Sequence, residues 1–113
     1  MLLCATCFAA LVLAGCGGAE ARKARHLEKG QAFFAANNYE KARVEFRNAL
    51  QIAPNDSEAR YENGLVDEKL GNAREAAQFY QGAIDVEKDE GFRRCLEHLF
   101  QYTGRANCDN NLI

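Results

Sequence analysis

Gly30, Ala42, Phe46 and Ala49 return 34 residues later as Gly64, Ala76, Tyr80 and Ala83, and no other feature of this 113-residue chain restricts its fold as much. Small residues come back as small and the aromatic as an aromatic. Two successive segments are therefore built to make the same tight contacts in the same places. A unit of this length buries its apolar face only against its neighbours, so the units must stack. The composition is that of a folded chain: 48% hydrophobic residues, 27% charged, and a single proline.

Both segments carry helical periodicity. Helices are predicted from about Ala24 to Ala36, with Leu27, Phe33 and Phe34 apolar, and from about Tyr39 to Ile52, where Val44, Phe46, Ala49, Leu50 and Ile52 recur at helical spacing. Pro54-Asn55-Asp56-Ser57 reads as a turn in which Asp56 or Ser57 caps the next helix. That third helix reaches about Leu70 and stops at Gly71-Asn72, and a fourth runs from Ala73 to about Glu87. Strand patterning is absent from the sequence.

Position by position, the two units resemble the tetratricopeptide repeat (TPR), a pair of antiparallel helices with a 34-residue period. In residues 23–56, Gly30 falls where the helices approach most closely, Phe33 fills the groove between them, and Asn37-Asn38 makes the turn. Tyr39 and Ala42 open the second helix, Phe46 and Ala49 face back to the first, and Pro54 ends the unit. Residues 57–90 keep Gly64, Ala76, Tyr80 and Ala83, but carry Asp67 for the expected aromatic, Ala73 for the tyrosine and Lys88 for the proline. The resemblance implies an all-α TPR α-solenoid of two helix-turn-helix repeats, a scaffold whose surface binds protein. A generic pair of helical hairpins is the simpler alternative, against which the single fixed offset argues.

The first sixteen residues hold no charged side chain and end in Leu13-Ala14-Gly15-Cys16. The run is too short for a membrane-spanning helix, which takes roughly 20 residues. Leu-Ala-Gly-Cys resembles the bacterial lipoprotein lipobox, which implies a signal peptide over residues 1–15, lipidation of Cys16, and a tether over 16–22 that begins with Gly17-Gly18. No Lys or Arg precedes the apolar run, a departure from the usual signal. With Gly17 after the cysteine, the resemblance implies the outer membrane, facing the periplasm. Cys4 and Cys7 lie in the segment that would be removed. Cys95 and Cys108 either pair, as an oxidising periplasm permits, or Cys95 serves as a small apolar residue. Neither His26 and His98 nor the cysteines have metal-ligand spacing.

Phe92, Cys95, Leu96, Leu99 and Phe100 form the apolar stripe of a fifth helix over residues 91–104, before a tail of 105–113. His98 stands where a third unit would need its small residue. Two readings follow: a terminal cap over the last apolar face, or a truncated third repeat. Charge is uneven, at +3 over residues 20–54 and −6 over 55–90. Either these are solvated helix faces, or the acidic unit meets a basic partner or the basic unit of another copy.

The TPR resemblance implies that the first helix of each pair lines a partner-binding groove. Its positions here are Leu27, Gln31 and Phe34, then Tyr61, Leu65 and Glu68. Gln31 and Leu65 replace the asparagines of the carboxylate-clamp subclass, so that clamp is missing. The same side chains could simply complete helix packing. There is no Ser/His/Asp or Cys/His arrangement and no phosphate loop, so no enzyme, cofactor or metal is expected; nor is a nucleic-acid partner, since basic residues and aromatics do not interleave. Residues 38–51 with Glu58-Ala59-Arg60-Tyr61 look most like the TPR lipoproteins of PEP-CTERM/exosortase exopolysaccharide systems. Pilus-assembly and outer-membrane-assembly TPR lipoproteins compete with that resemblance.

Overall fold

The computed structural model describes the backbone of residues 3–102 and the side chains of residues 17–98, 100 and 101. Among them the chain forms five helices and no strand: α1 (Leu3–Ala35), α2 (Tyr39–Ile52), α3 (Ser57–Lys69), α4 (Ala73–Val86) and α5 (Glu90–Tyr102). The last four begin within a residue of where periodicity and caps place them. The side chains of Cys4, Cys7 and Cys16 lie outside the described residues, as do Gly104, Cys108 and the tail.

One boundary differs. The sequence predicts a tether over 16–22 and a helix from about Ala24, whereas α1 runs unbroken through Gly17 and Gly18. A helical glycine costs only about 1 kcal/mol relative to alanine. Ala19, Glu20, Ala21 and Arg22 follow with no proline or cap, so an existing helix propagates cheaply through the pair. No helix among the described residues is long and apolar enough to cross a membrane.

Hairpin geometry repeats with the sequence. Asn37 (φ 59°) and Gly71 (φ 82°) both take the left-handed conformation that lets a helix end and the chain reverse. Asn38 and Asn72 donate their backbone N–H to the Phe33 and Asp67 carbonyls at 2.9 and 2.8 Å, the same bond 34 residues apart. A Cβ on Gly30 would lie 2.4 Å from the Phe46 ring, and one on Gly64 would lie 2.5 Å from the Tyr80 ring. Glycine is required at both places because the ring of an aromatic from the second helix sits directly against the backbone of the first.

Two layers of core result. Leu27, Ala42, Phe46, Ala49, Ala59 and Val66 close the first, with Phe33, Phe34, Tyr39 and Leu50 packed against it. Tyr61, Ala76, Tyr80, Ala83 and Leu96 close the second, with Leu65, Ile84, Phe92 and Cys95 around it. The substantial packing is sequential, each helix against the next in the chain.

The end of the array departs from the period. Asp56 caps α3 by accepting the Ala59 N–H at 2.9 Å, and Asp89 caps α5 by accepting the Phe92 N–H at 2.8 Å. The two caps are 33 residues apart, so α5 starts one residue early. The 34-residue period puts His98 at the tight-glycine position, but with α5 begun one residue early the structural counterpart of Gly64 is Glu97, and both are exposed.

Candidate functional site

α1 and α3 lie side by side, each with its hairpin partner behind it. Of the six residues expected along this face, Leu27 and Tyr61 are interior. The Tyr61 ring stands edge-on to Phe92 at 6.2 Å and tilted against Tyr80 at 6.0 Å. Its burial depends on α5, which no residue of α3 announces. Phe34 and Leu65 are partly buried and belong to different core layers, Phe34 meeting Tyr39 edge-on at 5.2 Å. Gln31 and Glu68 are exposed.

Hydrogen bonds tie this face together. The Gln31 amide donates to Glu62 across the α1–α3 boundary at 2.8 Å. The Tyr80 hydroxyl donates to Glu68 at 2.7 Å, and burial, then the Glu68 bond, pushes the Tyr80 phenol well above its ordinary value of 10.0. The accessible strip is thus Gln31, Glu62, Leu65 and Glu68 with the edge of Phe34, a mix of amide, carboxylate and apolar carbon suited to an extended or helical protein segment.

A hollow of about 360 Å³ opens beyond Tyr61, lined by Ser57, Glu58, Glu87, Asp89 and Phe92. Ser57 Oγ donates to Glu87, which also accepts the Asp89 N–H at 2.8 Å, so two of its acids already serve the turn between α4 and α5.

Behind the face lies a cluster that the repeat pattern does not reveal. Asp67, in the aromatic position of the second unit, is completely buried. Arg43 Nε and Arg47 Nη2 of α2 approach its carboxylate at 3.3 and 3.0 Å, and the Asn72 amide donates to it at 3.3 Å. The Arg47 guanidinium also covers the Phe79 ring at 4.5 Å. Asn63, equally buried, donates to the Phe46 and Ala59 carbonyls at 2.9 and 2.8 Å. Polar bonds therefore join the two units where an aromatic would have packed. The available sequence signal was Arg43 and Arg47 at i, i+4, on one face of α2.

A TPR repeat family matches residues 30–71, from the first tight glycine to the second reversal. The fold is a TPR α-solenoid. Tetratricopeptide repeat protein 16 of Mus musculus is 29% identical over 90 residues, covering 76% of this chain. The matched stretch is 11% of the length of the mouse protein. TPR architecture is that of a protein–protein interaction scaffold. Among the described residues, no group of three or more His, Cys, Asp or Glu side chains could hold a metal ion. His26 is engaged with Glu45 at 2.6 Å.

Proposed function

We propose that this TPR protein is a lipid-anchored scaffold of the bacterial envelope, holding a protein partner of an export or assembly complex on its α1–α3 face, with exopolysaccharide export of the PEP-CTERM type as the nearest context. The accessible strip from Gln31 to Glu68 carries the binding half of this reading. It is an accessible mix of amide, carboxylate and apolar carbon along the helices that line the inner face of such arrays. Leu13-Ala14-Gly15-Cys16 carries the anchoring half.

The anchor is tested by replacing Cys16 with Ser and following palmitate incorporation and membrane fractionation. Loss of both is expected, and a Cys16→Ser protein that still labels would rule the anchor out. The groove is tested by cross-linking pull-down from envelope extract with Gln31→Ala and Leu65→Ala combined, which should abolish capture without changing helicity. Tyr61→Ala is a poor probe, because emptying that buried site costs about 3–5 kcal/mol and would remove the fold with the partner.

Self-association is a second reading, favoured by Phe100, which is 45% exposed on α5, and by the opposed charges of the two units. Sedimentation velocity over a concentration series decides it: a constant monomer excludes the reading.

A further inference from the structure

The solvent side of α1 is basic. Arg22, Arg25, His26 and Lys29, at i, i+3, i+4 and i+7, together line a shallow hollow of about 170 Å³ on one helix face. Arg22, Arg25 and Lys29 are exposed, while His26 leans toward Glu45 at the edge. Lys23 does not join them: it points into the fold, where it bonds Asp56 and Glu20 at 2.6 Å each. Among the described residues no carboxylate lines the hollow, and Glu28 sits one residue, about 100° of helix rotation, away from Lys29. Gln31, which bonds Glu62 of α3, is about 200° round the helix from Lys29. The basic face therefore points away from the array and from the groove.

We propose that the Arg22, Arg25 and Lys29 face docks on an anionic phospholipid surface, so that α1 lies along the membrane with the groove turned outward. This rests on the anchor reading above. Along a continuous helix Arg22 is about 9 Å and Lys29 about 20 Å from Cys16. The screening length at physiological salt is about 8 Å. An upright α1 would leave Arg22 at the edge of that reach and Arg25 and Lys29 beyond it, whereas a recumbent one brings all three to the surface. Although the whole chain carries −2, its uneven charge orients it the same way: an anionic surface attracts residues 20–54, at +3, and repels residues 55–90, at −6.

Full-length protein is added to vesicles of phosphatidylcholine, alone or mixed with phosphatidylglycerol, and the two partition coefficients are compared. Residues 1–15 of the unprocessed chain, or the lipid on Cys16 of the processed one, contribute to both, so the ratio isolates the electrostatic part. Each surface cation is worth about fivefold, so three give a ratio of roughly a hundredfold, shrinking as salt rises. The combined Arg22→Gln, Arg25→Gln, Lys29→Gln variant should bring the ratio close to one with its circular dichroism unchanged. Arg74→Gln, Arg93→Gln, Arg94→Gln removes the same charge elsewhere and should leave the ratio intact. Equal losses in the two variants, or no ratio in the wild type, would overturn the proposal. So would displacement by inorganic phosphate beyond that by chloride of matched ionic strength, which would assign the hollow to a soluble anion. Palmitate labelling reports the anchor separately. Labelling without a vesicle ratio overturns the basic face alone, and a ratio without labelling overturns the anchor alone.

Discussion

Gly30 shows how a single missing atom sets the geometry of a unit. Its absent Cβ leaves room for the Phe46 ring, which is fully buried and has nowhere to move. Gly30→Ala should therefore cost about 1–3 kcal/mol from overpacking, even though alanine is the better helix former. Denaturant unfolding checks it, and Phe46→Leu in the same chain should recover part of the loss. Tyr80, the counterpart of Phe46, adds an alkaline sensitivity. Burial and the Glu68 bond hold its proton above the ordinary 10.0, and hydrogen bonds to Asp56 and Glu20 hold that of Lys23 above 10.5. In the unfolded chain both protons leave near pH 10 to 11, while the folded chain still keeps them. The folded state then binds more protons, so stability declines as pH rises through this range and is unaffected by these groups below about pH 9. Melting midpoints across this span should fall more shallowly for Tyr80→Phe.

Among the elements, α5 is held least. It packs chiefly on α4, with Leu96 as its one fully enclosed described side chain and Phe92 reaching across to Tyr61. Leu96→Ala should cost about 2–5 kcal/mol of local stability. Hydrogen exchange should show α5 losing protection while α1 to α4 keep theirs. The α2, α3 and α4 boundaries were legible because Asn38, Asp56 and the Gly71-Asn72 reversal are local signals, read without knowing what packs nearby. The start of α1 was not: a glycine pair looks like a break until the flanking helix is seen to carry through it. Among the candidate groove residues, Gln31 and Glu68 are exposed, as a residue on an outer face must be. Leu27 and Tyr61 are not, since their enclosure comes from neighbouring helices. Asp67 read as a lost aromatic because its two arginines belong to another element.

At the scale of the molecule, the two units differ most in charge, and Asp67 binds them together by reaching the first unit from the second. Removing it should loosen that joint: Asp67→Ala frees two arginines that are each 38% exposed and can turn to water. The expected cost is about 1–3 kcal/mol, short of what an enclosed orphan charge would bring, and calorimetry should show the two units melting less cooperatively. Packing that runs chiefly from each helix to the next also governs how the chain reaches this state. The two ends of the array never have to meet, so no long loop is closed before contacts begin to reward it. Folding should accordingly be complete in milliseconds or less, the range of low-contact-order helical proteins. Refolding followed by stopped flow or temperature jump would show it, with growth able to start in either hairpin and spread to the other.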